Sequence, residues 1–352
     1  MIDAASSGII FSKGPQKLYG HRSLVERFLS SLHNQSLHHA WVLAGPQGIG
    51  KRLTAETLAR FLLRYPQGNF PLSLPTEIAD DVFTQTQEKT HPDFMVLEKG
   101  EDTLSQSKTF ITVDAIRHMN HQLHRTTISG GWKVIIIDSC DDLNEKAANA
   151  LLKILEEPPG QTVFFLLHHG VSPLPLTIRS RCHRITLSPL SLAEMDRVIE
   201  DKFPSMQEAE KSLAKILARG RVGIFQRLIE NEGLLLFKDL IKGMGEVLSR
   251  NGPPYPFCFK LSEDIVKEGE KRAFLFSYLF SLCLQAVTES LATGIEASLS
   301  PLQEILKFSS LSLERWLSAQ AEIHQILRNE QALKVDQKQT ILSCFSILGR
   351  VK

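Results

Sequence analysis

A glycine-rich loop places the strongest constraint on the fold of this chain. Gly45-Pro-Gln-Gly48-Ile-Gly50-Lys51 lies between an apolar run, Ala40–Ala44, and a helix-like stretch, Lys51–Arg64. Glycines at this spacing let backbone N–H groups surround a phosphate at a helix N-terminus, while the lysine reaches the β- and γ-phosphates. The strand-loop-helix order predicts an α/β P-loop domain. The candidate nucleotide-binding residues are Gly45, Gly48, Gly50 and Lys51.

The residue after the lysine departs from the motif. A serine or threonine is expected there, because its hydroxyl helps to hold Mg²⁺, but the chain has Arg52. Arginine offers only hydrogen-bond donors and is always charged, so it cannot ligate a cation. Phosphate binding can survive this change, whereas metal-assisted hydrolysis cannot proceed normally. Binding of ATP or ADP is left open, as is the alternative that the loop is only a structural glycine turn.

A second part of the same site follows the run Lys133–Asp138, which has four consecutive β-branched residues. Such a run is typical of a parallel strand buried on both faces. In P-loop ATPases an aspartate at this strand end helps to hold Mg²⁺, so Asp138 joins the candidate residues. The alternative is an aspartate that caps a turn or helix. The next residue, Ser139, has too high a pKa to activate water as a general base.

Further segments alternate between helix and strand. Asn144–Glu157 predicts a helix that begins at an asparagine cap and is stopped by Pro158 and Pro159. Gln161–His168 predicts a third strand. Alternation of this kind implies a parallel sheet flanked by helices. At helical spacing, one face of the predicted helix carries core residues, namely Ala147, Leu151, Ile154 and Leu155.

Taken together, these segments resemble the AAA+ clamp-loader subunits of bacterial DNA polymerase III, the delta-prime and gamma/tau group. The resemblance covers about residues 20–190. It implies an AAA+ P-loop domain followed by helical domains. It is carried by Gly130–Asp138, by Ala147–Pro159, by His91-Pro92-Asp93, and by Thr177–Cys182, which contains a Ser-Arg-Cys motif.

Within that motif, the resemblance assigns a role to Arg181. In the family this arginine reaches the ATP site of a neighbouring subunit as an arginine finger, so Arg181 is the candidate catalytic residue, acting in trans. The guanidinium of such an arginine stabilises charge on the γ-phosphate and raises the rate of hydrolysis by roughly 10³–10⁵. The alternative is a surface arginine in a salt bridge with an acidic neighbour.

Other positions depart from the family pattern. Many members carry a four-cysteine zinc module, but the corresponding segment, Arg64 to His91, has no cysteine, so no zinc or other metal is expected. His168-His169 stands where catalytic members sense the γ-phosphate, and a satisfied surface histidine is the favoured interpretation. Ile224 aligns with the arginine that senses nucleotide in the lid domain.

Bulk properties set limits on the rest of the chain. It has 352 residues with a net charge of +1, so extended nucleic-acid binding by overall charge is excluded. Its five cysteines are scattered, which favours a reducing compartment. The N-terminus lacks the pattern of a signal peptide, and the apolar stretch Ala273–Val287 is interpreted as a buried helix, so a cytoplasmic protein without a membrane span is expected.

Three domains are predicted. Residues 1–190 form the P-loop domain, 191–250 a helical lid, and 251–352 a helical collar for oligomerisation, with Gly252-Pro253-Pro254 as a linker. No strand is predicted after Leu190.

The resemblance implies a non-hydrolysing stator subunit of the clamp loader, which supports ATP-dependent loading of the sliding clamp in DNA replication. Its expected partners are the gamma/tau and delta subunits in a hetero-pentamer, with the clamp and primed DNA contacted through the complex. The chain itself would have no polymerase or ATPase activity. Alternatives are a catalytic gamma/tau-like ATPase and, more remotely, a branch-migration helicase. Arg52 and Ser139 disfavour the first; Ser180-Arg181-Cys182 and the helical C-terminal region disfavour the second.

Overall fold

In a computed structural model, the chain divides into two compact units. One is Met1–Glu200 with Gly220–Gly223, and the other is Asp201–Arg219 with Ile224–Lys352. The structure describes residues 17–75, 80–100, 110–128, 130–170, 173–249, 255–293, 312–333 and 336–351. The linker predicted at Gly252-Pro253-Pro254 lies outside these ranges, and the division into three domains stays a prediction.

The first unit is built on a five-stranded parallel sheet with the order β2-β3-β4-β1-β5. The three strands expected from sequence are confirmed. β2 and β5 had no comparable signal; only Ile185 of β5 is buried. The strands are β1 (Ala40–Ala44), β2 (Phe94–Glu98), β3 (Lys133–Asp138), β4 (Thr162–His168) and β5 (His183–Thr186).

Helices cover both faces of this sheet. Alternate strand residues point to opposite faces, so β4 gives Phe165 to the cluster with α1 and α2 and Phe164 to the cluster with α4 and α5. The predicted core positions of α5 are buried. The helices are α1 (Arg22–His33), α2 (Lys51–Arg64), α3 (Asp81–Gln87), α4 (Val113–Leu123), α5 (Glu145–Glu156), α6 (Leu176–Arg179) and α7 (Leu192–Lys202), with a 3₁₀ turn at Cys140–Asp142.

Between Arg64 and His91 the described residues include a short helix. The Asp80 side chain accepts a hydrogen bond from the Phe83 N–H at 2.8 Å and caps α3. Arg64 donates to the same carboxylate at 2.5 and 2.8 Å. Sequence patterns did not indicate α3, because the helix is only seven residues long and has few apolar residues.

The second unit is helical throughout its described residues, in agreement with the absence of strand signals after Leu190. The apolar stretch expected to form a buried helix lies in α12, where Phe276 and Phe280 pack against Phe345. The Tyr278 hydroxyl ties α12 to α8 through the Leu217 carbonyl at 2.6 Å. The helices are α8 (Glu208–Ala218), α9 (Val222–Glu230), α10 (Gly233–Ser249), α11 (Tyr255–Glu268), α12 (Glu270–Thr293), α13 (Leu313–Leu333) and α14 (Gln337–Gly349).

One helix of the described residues, α12, is long and apolar enough to cross a membrane by length and composition. Half of its most apolar stretch is buried inside the protein. Core helices of water-soluble proteins meet the same criteria, so the observation is weak support for a membrane span.

Candidate nucleotide site and arginine finger

Strand order gathers the predicted site residues at one edge of the sheet. β4 lies between β1 and β3, and all three run in the same direction. In register, Ala44 pairs with His168, and Asp138 pairs with both Leu167 and Glu98. The glycine loop and Asp138 therefore lie at the carboxyl ends of neighbouring strands, which is where ligands bind in open parallel sheets.

The glycine loop has the backbone shape that the motif predicts. Gly50 caps α2 with a φ of 95°, and a Cβ on Gly45 would lie 2.6 Å from the Leu187 carbonyl oxygen. Lys51 Nζ donates to the carbonyls of Gly45 at 2.6 Å and Pro46 at 2.8 Å. Two of the three ammonium donors are therefore used by the loop itself.

Lys51 is nearly inaccessible, with a relative exposure of 3%. Burial lowers the pKa of Lys51 to about 8, although the nearby charges of Asp138 and Asp141 oppose this change. Two further contacts fix the loop: His21 Nε2 donates to the Ile49 carbonyl at 2.8 Å, and the Gly223 N–H donates to the Gly48 carbonyl at 2.8 Å. These contacts hold the loop from several sides, and the remaining ammonium N–H could be offered to a phosphate.

Arg52 lies among three carboxylates at the centre of the site. Its Nη1 is 2.8 Å from Glu98 Oε2 and 3.0 Å from Asp138 Oδ2, and its Nε is 2.7 Å from Glu56 Oε1. The Arg52 side chain is 27% exposed, and its partners are 16–21% exposed. A fixed cation thus neutralises Asp138, the aspartate that would hold Mg²⁺. The residues present do not fit a magnesium ion.

Asp138 is held in its charged form. Burial alone would raise its pKa, but the contact with His169 and the charge of Arg52 lower the pKa below its ordinary value. The alternative of a simple capping aspartate is not what the contacts show, since the Asp138 carboxylate bonds to side chains of α2 and of the β4 end. Its neighbour Ser139 is buried, with Oγ 3.3 Å from Asp142 and 3.4 Å from Asp141.

The histidine pair at the end of β4 is not at the surface as expected. His168 is 7% exposed and its Nε2 lies 3.6 Å from Asp141 Oδ1. His169 is partly buried, with Nε2 3.6 Å from Asp138 Oδ1. The histidines are buried because β4 lies in the middle of the sheet, where neighbouring strands and helices surround its last residue. Ile224, the other predicted departure, is fully buried in the second unit.

Arg181 lies just after α6 and is 36% exposed at its side chain. Its Nη2 is 2.5 Å from Glu156 Oε1 at the end of α5. Its Nη1 donates to the Thr177 carbonyl at 3.0 Å and to Ser180 Oγ at 3.3 Å. A salt bridge with an acidic neighbour is therefore present. The pairing leaves the Arg181 guanidinium partly open to solvent.

Other family-like motifs have local structural contacts. The Asn144 side chain accepts from the Ala147 N–H at 2.8 Å and caps α5 as predicted. Asp93 is buried and accepts from the Ile128 N–H at 3.3 Å. A Cβ on Gly131 would lie 2.6 Å from the Pro66 Cβ, so a glycine is needed for this close approach.

Metal-ligating groups do not converge in the part of the chain that the structure describes: no cluster of three His, Cys, Asp or Glu side chains is found there. All five cysteines are free thiols. The expectation of no zinc between Arg64 and His91 stays a prediction, since residues 76–79 are not described.

Sequence comparisons cover the same domain. The family model described as DNA polymerase III, delta subunit, matches residues 20–191. DNA polymerase III subunit delta' of Pseudomonas aeruginosa is 39% identical over 154 residues, 44% of each chain. The Escherichia coli delta' subunit is 35% identical over 167 residues, 47% of this chain and 46% of that protein. The gamma subunit of Buchnera aphidicola (Schizaphis graminum) is 32% identical over 183 residues, 50% of this chain and 45% of that protein.

Over residues 20–191 the chain is similar to the DNA polymerase III subunits delta', gamma and tau. Among these relatives the matches support the delta' type, and gamma and tau are also close. The matched segment spans about half the length of these curated relatives.

Solved structures give a weaker likeness. A gamma subunit-related protein of Thermotoga maritima has a TM-score of 0.44 and 18% identity, over 92% of this chain and 99% of that one. RuvB of the same organism has a TM-score of 0.39 and 17% identity, over 85% and 87%. The fold assignment rests instead on the strand order and the P-loop described above.

Proposed function

We propose that this chain is a non-hydrolysing stator subunit of the DNA polymerase III clamp loader, which supports ATP-dependent loading of the sliding clamp in DNA replication. The observation that carries the proposal is the contact of Arg52 with Asp138 at 3.0 Å. A cation that belongs to the chain occupies the place where a metal ligand is needed, and Ser139 offers no general base. Each change alone would slow hydrolysis, and the two together remove both the metal and the activated water.

In the proposed assembly, Arg181 completes the ATP site of a neighbouring subunit. Gamma/tau and delta subunits would be the partners in a hetero-pentamer in the bacterial cytoplasm, with the clamp and primed DNA contacted through the complex. Residues 191–250 would form the lid and 251–352 the oligomerising collar. The partial exposure of Arg181 supports this role, because a finger must reach beyond its own subunit.

A second candidate is a catalytic gamma/tau-like ATPase. It is favoured by the gamma relative at 32% identity over 183 residues and by the intact shape of the glycine loop. It requires Mg²⁺ beside Asp138, however, and Arg52 would have to leave three carboxylates to make room. The stator therefore agrees better with the geometry.

Steady-state ATP turnover by the isolated chain separates the two candidates. The stator proposal expects no turnover above that of Lys51→Ala. Turnover that Lys51→Ala abolishes would overturn it. In a complex reconstituted with gamma/tau and delta, Arg181→Ala should lower the clamp- and DNA-stimulated ATPase. Lysine at this position should restore little, because it lacks the planar fork. Unchanged rates would remove the finger assignment.

A further inference from the structure

Arg181 is held in place by a carboxylate from another element. Glu156 ends α5, and its Oε1 lies 2.5 Å from Arg181 Nη2. We propose that Glu156 is a positioning residue that orients the Arg181 guanidinium toward the neighbouring subunit. The inference rests on the proposed function, and it adds a residue to which neither the motif nor the comparisons assign a role.

Both partners have well-anchored backbones. On the α5 side, Leu155 is 1% exposed and its carbonyl accepts from His39 Nε2 at 2.9 Å. On the other side, Ile178 is 1% exposed and its carbonyl accepts from the Arg181 N–H at 3.1 Å. Leu155 and Ile178 belong to the same core cluster. The two side chains thus extend from one rigid base, which limits the orientations that the pair can take.

The contacts leave part of the fork available. Glu156 takes one Nη2 hydrogen, and Thr177 and Ser180 accept from Nη1. A guanidinium has five N–H donors, so Nε and the second Nη2 hydrogen remain for an anion such as a γ-phosphate. Side-chain exposures of 36% and 48% mean that water screens the pair, and exposed pairs contribute little to stability. Its effect should therefore be on orientation rather than on folding.

Reconstituted complexes can test this role with a matched control. Glu156→Gln removes the charge at 156 while keeping the shape of the side chain. Glu157→Gln makes the same change at the next residue, which is exposed. We expect Glu156→Gln to lower the stimulated turnover by up to about fivefold, less than Arg181→Ala does, because an exposed pair biases the orientation of the guanidinium only modestly and a misplaced catalytic group is slower. The apparent KM for ATP should change less than kcat, Glu156→Asp should recover part of the loss, and Glu157→Gln should behave as the wild type.

A double-mutant cycle distinguishes the failure of this inference from failure of the proposed function. If Glu156 acts through Arg181, Glu156→Gln with Arg181→Ala should be no slower than Arg181→Ala alone. Additive losses, or a fully active Glu156→Gln complex beside an impaired Arg181→Ala complex, would overturn the positioning role and leave the finger intact. A fully active Arg181→Ala complex would overturn both. Melting temperatures of the isolated variants should match the wild type, and a large fall would assign Glu156 to folding instead.

Discussion

Replacing Arg52 with alanine should destabilise the first unit, because it removes the cation shared by Glu56, Glu98 and Asp138. Glu98 would keep Lys89 at 2.5 Å and Glu56 would keep Arg60 at 3.3 Å. Asp138 would keep only the weaker contact with His169 at 3.6 Å among the ion pairs described. Breaking a buried pair by removing one partner costs about 3–5 kcal/mol. Since these groups are partly exposed and partly re-paired, we expect about 2–4 kcal/mol.

The loss should depend on pH. In the wild-type protein the pKa of Asp138 is lowered on folding, so its stabilisation is present above the ordinary carboxyl pKa and is lost as pH falls through the folded value. Without Arg52 the pKa of Asp138 rises, and the protonated acid no longer suffers from the missing cation. The difference in stability between wild type and variant should be largest near neutral pH and shrink toward about pH 4.

Hydrogen exchange is the suitable assay, because the chain has two units and a single melting curve would mix them. The slowest amides of β3 and β4 report opening of the first unit, and those of α12 serve as an internal reference. Arg22→Ala is the control: its pair with Glu26 is 91% and 62% exposed, and exposed pairs are worth about 0–1 kcal/mol. If the β3 amides were as well protected from exchange in Arg52→Ala as in Arg22→Ala, the Arg52 cluster would have no structural role.

Three other predictions follow from local contacts. Asn144→Ala should lower the stability of the first unit by about 1 kcal/mol, because it removes the cap of α5. Hydrogen exchange of the slowest amides of β3 and β4 would measure the loss, and unchanged protection would show that the Asn144 cap contributes nothing. Gly45→Ala should lower the hydrogen-exchange protection of β3 and β4, because the added Cβ would meet the Leu187 carbonyl oxygen at 2.6 Å; unchanged protection would contradict the loop geometry. Elemental analysis of the purified protein should find no stoichiometric zinc, and about one zinc per chain would refute that expectation.

Much of the first unit could be predicted from sequence because its signals are local. The β-branched run of β3 and the proline stop after α5 each indicate an element without reference to the rest of the chain. Asn144 and the glycine loop likewise specify their own backbone shapes. β5 could not be predicted, because it is four residues long with one buried position.

Partners from distant segments could not be predicted in this way. Glu98 reaches Arg52 only because β2 pairs in register with β3, which places Glu98 opposite Asp138. No spacing along the chain reveals that pairing. Glu156 meets Arg181 for a similar reason, since α5 and α6 pack on the same side of the sheet. The available signal for each contact was a carboxylate without an assigned role, Glu98 at the end of a strand and Glu156 at the end of a helix.

Lys51 has structural contacts that do not require nucleotide, so its presence does not by itself indicate use of ATP. Its Nζ satisfies the carbonyls of Gly45 and Pro46 at the start of the loop. Leaving a buried acceptor without a donor costs about 1–3 kcal/mol. Lys51→Met should therefore lower protection of the first unit by about that amount in buffer free of nucleotide and magnesium. A variant as stable as the wild type without nucleotide, and weaker only when ATP is added, would instead show that the lysine serves a ligand.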